Sequence, residues 1–408
     1  MIDEFVLSRP AFQCLTLIFT TRDSKKSDDA LRRLEKHIAH RWKQLDTSLK
    51  HRVFLQPEQL DLTSLRAVHR LSARLLEVLP RLDSIICNAG IGGCTGLNWP
   101  QAIWAVCTDL VHAVSYPHYR LTTVGTTTPS QSISKRPSLD DGGSIEEEHP
   151  LGQVFTSNVF GHYVLAHNLL PLLLASPDQG RIILESSIEP TAAHFSTDDL
   201  QGLNTEKAYE SSKRLSDILA LTSTLTSTKP FVQRFISPSS PQAPQSISLL
   251  DNETPQPTPP DSTPSTPPHL ITLSDNEYHP PTNSSPKIYL CHPGICATGF
   301  IPLPVILYYT MLAVMHTARW LGSPWHTVSA YKGACAPVWL ALIDQDEIDD
   351  MEQRDGKGKW GSAVDTMGHE MVMRSVVEGW GLGGRLGEGE LMGRKGTRRG
   401  FVEVTNGD

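Results

Sequence analysis

Short apolar runs alternate with amphipathic stretches through the first ninety residues. Residues 15–21 form an apolar, β-branched run, and residues 28–45 after it carry apolar side chains at helical spacing. The pattern repeats, with a strand-like run at 53–55 and a one-sided apolar helix pattern over 65–79. A third strand-like run at 85–87 follows. Strands that alternate with helices of this length predict an α/β fold with a parallel sheet covered on both faces.

The alternation resumes after residue 150 and continues to a strand that precedes Pro293-Gly294. The pattern predicts a long helix over 154–174, a buried strand at 182–184, a helix over 209–225 and a strand at 288–290. Together with the first half, these elements predict a doubly wound parallel sheet.

Three segments do not fit a minimal α/β domain. Residues 92–150 form an insertion with an apolar core and a polar, Thr/Ser-rich end. Residues 237–286 are dense in Pro, Ser and Thr, a composition too polar to offset chain entropy, so we expect a disordered insertion. Residues 343–408 are charged and then glycine-rich, which predicts a loosely ordered polar tail. The main domain is therefore expected over residues 1–236, and residues 287–342 are expected to complete it.

Composition narrows the class of protein. The chain has 408 residues, a net charge of −8 and a pI of about 6.1, and it has no basic stripe with interleaved aromatics. These features argue against a nucleic-acid partner. Its seven cysteines lack the Cys-x-x-Cys spacing of a zinc site and indicate a reducing compartment, so no metal is expected. The start of the chain shows no secretory signal, which favours the cytosol or the cytosolic face of a membrane.

The most specific chemical signal is a tyrosine four residues before a lysine, Tyr209 and Lys213, on a predicted helix. This spacing puts both side chains on one helical face, where the cation is expected to lower the pKa of the phenol. Such a phenol can donate a proton to a carbonyl oxygen. The serine pair Ser186-Ser187 ends a strand-like run upstream, and Asn158 lies earlier in a helical stretch.

These residues, with Asn88-Ala89-Gly90, resemble the short-chain dehydrogenase/reductase family, whose site combines Asn, Ser, Tyr and Lys in this chain order. The resemblance implies a Rossmann-type fold. It makes Tyr209 the general acid and Lys213 its pKa-lowering partner and a ribose ligand. Ser187 would polarise the substrate carbonyl, with Ser186 the less favoured choice, and Asn158 would hold a water that connects the lysine to solvent. Taken singly, Asn158 could instead be a helix cap and either serine a turn residue.

The same resemblance implies a nicotinamide cofactor along the carboxyl ends of the strands. Arg22 ends the first predicted strand, where its guanidinium suits a 2′-phosphate, so NADPH is expected over NADH; an ordinary exposed arginine is the alternative. The implied cofactor residues are Arg22 for the phosphate, Asp61 for the adenine, Asn88, Ala89 and Gly90 for the cofactor wall, Asn158, Tyr209 and Lys213 from the catalytic set, and Pro293, Gly294, Ile295 and Thr298 for the carboxamide.

One departure from the family pattern concerns the phosphate-binding loop. The family begins with a strand and a Thr-Gly-x-x-x-Gly-x-Gly loop, whereas this chain has no glycine before Gly90. Its first predicted strand behaves like the family's second. We therefore expect a sheet that lacks the first strand and glycine loop, through either a mis-assigned start or a real deletion. Glycine repeats in 379–389 follow no predicted strand and are interpreted as linker.

Longer stretches resemble a narrower group, the fungal 3-keto-steroid reductases of sterol C-4 demethylation. These stretches are residues 109–114, 152–174, 291–304, 318–325 and 331–334. The resemblance implies NADPH-dependent reduction of a 3-keto sterol to a 3β-hydroxysterol in ergosterol synthesis. It also implies partner enzymes of that complex and a peripheral position on the cytosolic face of the endoplasmic reticulum membrane or on a lipid droplet. The alternatives are a catalytically silent binding partner and a reductase of another lipid ketone.

An uncharged stretch gives these implications some independent support. Residues 297–318 carry no Asp, Glu, Lys or Arg and are rich in large apolar side chains. A large apolar cover suits a sterol. Pro302 and Pro304 interrupt its start, which leaves a short remainder for a membrane span. A segment that dips into the membrane interface, a buried core helix and a true span all remain open.

Overall fold

The computed structural model describes residues 1–42, 51–131, 150–237, 285–297 and 304–380. Its nine strands are β1 (Leu15–Thr21), β2 (Val53–Gln59), β3 (Ser84–Cys87), β4 (Cys94–Leu97), β5 (Arg120–Thr122), β6 (Arg181–Glu185), β7 (Lys287–His292), β8 (Lys359–Val364) and β9 (Glu370–Ser375). Its α-helices are α1 (Ile2–Ser8), α2 (Ser24–Trp42), α3 (Leu65–Val78), α4 (Trp99–Thr108), α5 (Leu110–Ser115), α6 (Gln153–Phe155), α7 (Gly161–Asn168), α8 (Leu170–Leu174), α9 (Ala208–Leu221), α10 (Lys229–Ile236), α11 (Val305–Trp320), α12 (Ala330–Gly333), α13 (Cys335–Leu342) and α14 (Gln345–Asp355).

Parallel strands form the centre of the molecule, as the alternating pattern predicts. β1 and β2 pair in parallel as a two-stranded sheet, with α2 as their crossover. A second sheet has the order β3-β6-β7-β8-β9, in which the first four strands are parallel and β9 is antiparallel. The buried side chains of α3, α7, α8 and α9 cover one face and those of α13 and α14 cover the other. The fold is therefore α/β and Rossmann-type, which confirms the predicted class.

A gap separates the two sheets at the expected place. In the residues that the structure describes, β1 and β3 form no ladder with each other. Leu17 of β1 and Ile86 of β3 nevertheless face one shared cavity. A strand between them would give the order β2-β1-x-β3-β6-β7, which is the strand order of a Rossmann sheet. The expectation that the sheet lacks its first strand is confirmed for the described part of the chain.

The predicted tail boundary at residue 342 is wrong. Residues 345–375 form α14, β8 and β9, and β8 is a buried strand that pairs with β7. Lys359 on β8 also forms a buried ion pair with Asp217 on α9, at 2.9 Å. The domain therefore extends at least to Trp380, and residues 381–408 lie outside the described residues. The predicted disordered insertion, 237–286, also falls almost wholly outside them.

The predicted long helix over 154–174 is interrupted. α6 runs directly into a π-helical turn, Thr156–Phe160, before α7, and Leu169 separates α7 from α8. π-Turns inside helices are frequent at functional sites because they shift side chains relative to the helical register.

The predicted insertion, in its described part, forms the β4–β5 hairpin around α4 and α5.

Candidate active site

Tyr209, Lys213 and Ser187 meet where β6 ends against α9. Tyr209 and Lys213 lie on one face of α9, and Ser187 follows β6. The side chains of Ser187 and Tyr209 hydrogen-bond to each other. Ser186 turns away instead, and its hydroxyl donates to the backbone oxygen of Lys213 at 3.2 Å. The geometry therefore favours Ser187 over Ser186 as the serine that acts with the tyrosine.

Lys213 is buried behind the tyrosine. Its Nζ lies 5.7 Å from the centroid of the Tyr209 ring and donates to the backbone oxygen of Glu185 at 2.8 Å. Burial lowers the pKa of Lys213 and raises the pKa of Glu185, while the attraction between the two groups opposes both shifts. The lysine thus lies close to the Tyr209 ring, and its hydrogen bond to the last residue of β6 fixes its position.

The predicted direction of the tyrosine pKa is wrong. The pKa of Tyr209 is raised above its ordinary value because burial disfavours the phenolate, and the carboxylate of Glu189 raises it further. Hydrogen bonding to Ser187 and the charge of Arg120 oppose this rise without overcoming it. The phenol is accordingly held in its protonated form, which is the form that a proton donor needs.

Asn158 anchors the loop that follows Asn88-Ala89-Gly90. It lies in the π-helical turn, and its side chain accepts from the Ile91 amide at 2.7 Å and donates to the Ile91 oxygen at 2.9 Å. It also donates to the hydroxyl of Ser212 on α9 at 3.0 Å. A Cβ on Gly90 would lie 2.8 Å from the Asn158 side-chain oxygen, so this contact requires glycine. These bonds are positional, and the water-holding role of Asn158 stays a prediction.

Two further side chains fix the same loop. Nε2 of His162, on α7, lies 2.7 Å from the Ala89 oxygen. Burial lowers the pKa of His162 to about 4, so the ring is neutral and donates this bond at neutral pH. With its amide oriented to donate, Asn88 lies 3.2 and 3.3 Å from the two carboxylate oxygens of Glu185. The loop is therefore rigidly placed at the carboxyl end of β3.

Pro293, Gly294 and Ile295 line the same cavity as Ser187, Tyr209 and Lys213. Gly294 has a φ of +69°, and a Cβ there would lie 2.4 Å from the Trp325 oxygen. The amide of Ile295 already donates to that oxygen at 2.7 Å, and its carbonyl accepts from Val328. The loop lines the cavity, but the backbone groups of Ile295 are already hydrogen-bonded within the protein, so its contact with the carboxamide stays a prediction. Thr298 lies outside the described residues.

The residues predicted for the adenosine half are not brought into this cavity. Arg22 is exposed just after β1, and Asp61 lies just after β2; neither lines the cavity. The carboxylate of Asp61 accepts from the amide and hydroxyl of Thr63, at 2.9 and 2.7 Å. The residues present therefore fit the nicotinamide half of a dinucleotide, with Lys213, Tyr209 and the loop at 88–90 in one wall.

The cavity itself has a volume of about 930 Å³ and a lining that combines polar and apolar side chains. Its polar lining comes from the catalytic group together with Asn88, Glu185, Glu189 and Arg120. The rest is mostly apolar and comes largely from the insertion and α11, including Leu97, Ile103, Val114, Leu307, Met311 and Met315. The predicted apolar cover is thus present, with α11 as one wall.

Sequence reasoning missed three charged residues that meet beside Tyr209. Arg120 on β5 contacts Glu189 and Glu210, which are 69 and 90 residues away along the chain. No local pattern could have found Arg120, since its partners are set by the fold. A fourth missed residue, Glu185, could have been found from the sequence, because a carboxylate at the end of an apolar strand is unusual and indicates a functional position.

Comparison with known proteins decides the family. No family model matches the chain. The chain is 44% identical to the 3-keto-steroid reductase erg27 of Aspergillus fumigatus, over 99% of this chain and 84% of that protein. It belongs to the 3-keto-steroid reductase family. A 3-keto-steroid reductase of Gibberella zeae is 31% identical over all of this chain and 85% of its own length, and one of Schizosaccharomyces pombe is 28% identical over 90% and 81%.

Solved structures add little to this assignment of the reductase family. A short-chain dehydrogenase from Salmonella enterica has a TM-score of 0.28 and 20% identity, over 52% of this chain and 72% of its own. The Pseudomonas aeruginosa RhlG/NADP complex has a TM-score of 0.25 and 22% identity, over 50% and 55%. Scores this low carry no argument, so the fold rests on the sheet order described above.

Proposed function

We propose that the chain reduces the C3 ketone of a sterol to a 3β-hydroxyl group, with NADPH as the reductant. The observation that carries this proposal is the placement of Ser187, Tyr209 and Lys213, with the polar side chains that contact them, in the lining of a large and otherwise mostly apolar cavity. A sterol is mostly hydrocarbon with one polar end, and the lining likewise combines a mostly apolar surface with a few polar groups. The names of the relatives support the same substrate class.

Ser187, Tyr209 and Lys213 together deliver a proton to the ketone oxygen of the substrate. The Tyr209 hydroxyl, oriented by Ser187, donates its proton to that oxygen as negative charge develops on it. The buried ammonium group of Lys213 stabilises the tyrosinate that remains. The bound nicotinamide supplies the hydride. A sterol bound against the apolar walls would displace water from them, which would strengthen each of these electrostatic interactions.

The preference for NADPH rests on Arg22. This residue is exposed at the carboxyl end of β1, beside the gap between the two sheets, where a cofactor would lie in a Rossmann fold. Its guanidinium can bind a 2′-phosphate with two parallel hydrogen bonds. Lys25 and Lys26 at the start of α2 add positive charge.

The proposal includes a peripheral position on the cytosolic face of the endoplasmic reticulum membrane or a lipid droplet, beside other enzymes of sterol C-4 demethylation. Among the described helices, none is long and apolar enough to cross a bilayer. Ile306 and Tyr309 of α11 are 80% and 65% exposed, next to Leu307 in the cavity wall. Ile103 and Trp104 of α4 are also exposed, and this surface suits a membrane interface.

The membrane position is tested by flotation with liposomes. Ile306→Asp with Tyr309→Asp should move the protein from the membrane to the soluble fraction, because two charges would enter the apolar interface. Leu76→Asp with Val78→Asp changes two exposed apolar residues of α3 and is the matched control. Unchanged membrane recovery of the α11 variant would place the attachment elsewhere.

The activity is tested with a 3-keto sterol in detergent micelles and NADPH, with the product identified by mass spectrometry. Tyr209→Phe should lower kcat by about 10²–10⁴-fold, the usual contribution of a positioned proton donor. Ser187→Ala should also lose activity, whereas Ser186→Ala, one residue away, should retain more of it. An active Tyr209→Phe variant would refute the mechanism. An inactive parent would favour the silent binding partner, which the intact site and the relatives' names do not support.

A further inference from the structure

A buried cluster of three charged side chains lies against the predicted proton donor. Arg120 is placed between Glu189 and Glu210; one of its terminal nitrogens contacts both carboxylates and lies 2.9 Å from Glu210 Oε1. The three side chains are only 10%, 15% and 6% exposed. Lys207 approaches Glu210 at 3.5 Å and brings the cluster close to neutrality. Burying this many charges is costly, so the arrangement calls for a role beyond a surface ion pair.

The cluster connects the two elements that carry the catalytic side chains. Glu189 lies two residues after Ser187, and Glu210 is the neighbour of Tyr209 on α9. The guanidinium carbon of Arg120 is also 5.5 Å from the centroid of the Tyr209 ring, within the range of a cation–π contact. One arginine therefore holds the serine loop, the catalytic helix and the tyrosine ring together.

Arg120 also belongs to the wall of the apolar cavity. It is the first residue of β5, which pairs with β4 in the hairpin that carries α4. Both Arg120 and its neighbour Tyr119 line the cavity, as does Ile103 of α4. The side chain of Arg120 thus joins the hairpin that shapes the apolar cavity to the proposed proton donor.

We propose that Arg120 is a positioning residue for Tyr209, which aligns the phenol with Ser187 and couples this alignment to the wall of the substrate cavity. The proposal rests on the proposed reductase function. Arginine suits the task because one terminal NH₂ group can direct an N–H to each carboxylate while the planar guanidinium lies over the Tyr209 ring; a lysine provides the charge without that plane.

The test uses Arg120→Lys, which keeps the positive charge and removes the planar guanidinium that contacts both carboxylates and the Tyr209 ring. The matched control is Arg52→Lys. Arg52 is also a buried arginine, but its hydrogen bonds go to backbone oxygens of residues 6–13, and it does not line the cavity. Both proteins are labelled with 3-fluorotyrosine, and the chain has nine tyrosines. The ¹⁹F resonance of Tyr209 is assigned by its loss in Tyr209→Phe.

We expect Arg120→Lys to shift the Tyr209 resonance and to lower kcat by roughly ten- to a hundredfold, as for a displacement of about 1 Å, with KM for the sterol changed less than about threefold. Arg52→Lys should lower thermal stability but leave the resonance and kcat of the folded protein unchanged. The proposal is overturned if Arg120→Lys leaves the Tyr209 resonance unmoved or has a kcat within twofold of the parent. It is also overturned if Arg52→Lys shifts the resonance and lowers kcat as much as Arg120→Lys does. The resonance needs no substrate, so it decides the role of Arg120 even if the parent protein reduces no sterol.

Discussion

The buried histidine that holds the Asn-Ala-Gly loop predicts a specific loss of stability in acid. The pKa of His162 is lowered from 6.5 to about 4, first because burial disfavours the imidazolium and also because Lys213 repels it; the bond to Ala89 opposes these effects only in part. Its Nδ1 has no hydrogen-bond partner among the described residues, so a proton there would be buried without an acceptor.

The protein should lose stability as the pH falls, because the pKa of His162 is lower in the folded state than in the unfolded chain. Above pH 6.5 the ring is neutral in both states, and the full stability is present. As the pH falls from 6.5 towards 4, the unfolded chain takes up a proton that the folded protein does not, so stability is lost. The difference of about 2.5 pKa units corresponds to a maximum of about 3 kcal/mol, of which roughly 2 kcal/mol is lost at pH 5.

The measurement is urea unfolding of the parent and of His162→Gln at pH 7 and pH 5. Glutamine keeps a donor that can reach the Ala89 oxygen but does not titrate. His292 and His326, whose pKa values are also lowered by burial, remain in both proteins and cancel in the comparison. Between pH 7 and 5 the parent should lose about 2 kcal/mol more than the variant. Parallel losses in the two proteins would show that His162 is not buried in its neutral form.

Two further predictions concern the domain boundary and the cofactor. Lys359→Met should lower the free energy of unfolding in urea by about 3–5 kcal/mol, because it leaves Asp217 buried without its partner. The control Lys287→Met removes a more exposed ion pair and should cost less than about 1 kcal/mol. Equal costs would contradict the placement of β8 inside the domain. Arg22→Ala should weaken NADPH binding about ten- to a hundredfold in a fluorescence titration, with NADH binding little changed. Equal losses for both cofactors would exclude a contact between Arg22 and the 2′-phosphate.

The first sheet and the catalytic group could be predicted because their signals are local. The run at 15–21 is apolar and β-branched, and the structure has β1 at Leu15–Thr21. Tyr209 and Lys213 share a helical face by spacing alone, and α9 confirms that they do. Local spacing did not give the direction of the Tyr209 pKa shift, however, because burial of the phenol outweighs the hydrogen bond to Ser187 and the charge of Arg120.

The strand β8 could not be predicted because its residue types are not those of a buried strand. It begins with Lys359 and includes Gly361 and Ser362, a composition typical of a surface loop. All six of its residues are nevertheless buried, since Lys359 is neutralised by Asp217 from a helix 142 residues away in sequence. Arg120 was missed for the same reason. Charged residues that are paired across the fold carry no signal in their own neighbourhood.

Transfer of hydride from NADPH to C3 of a keto sterol can be followed directly through the transferred hydrogen. The purified chain is incubated with a 3-keto sterol and NADPH in which both hydrogens at C4 of the nicotinamide are deuterium, and the sterol product is examined by mass spectrometry. The account predicts a 3β-hydroxysterol with one deuterium at C3, formed by the parent and nearly absent with Tyr209→Phe. Formation of no labelled alcohol by a folded parent that binds NADPH, or equal labelling by Tyr209→Phe, would contradict the account.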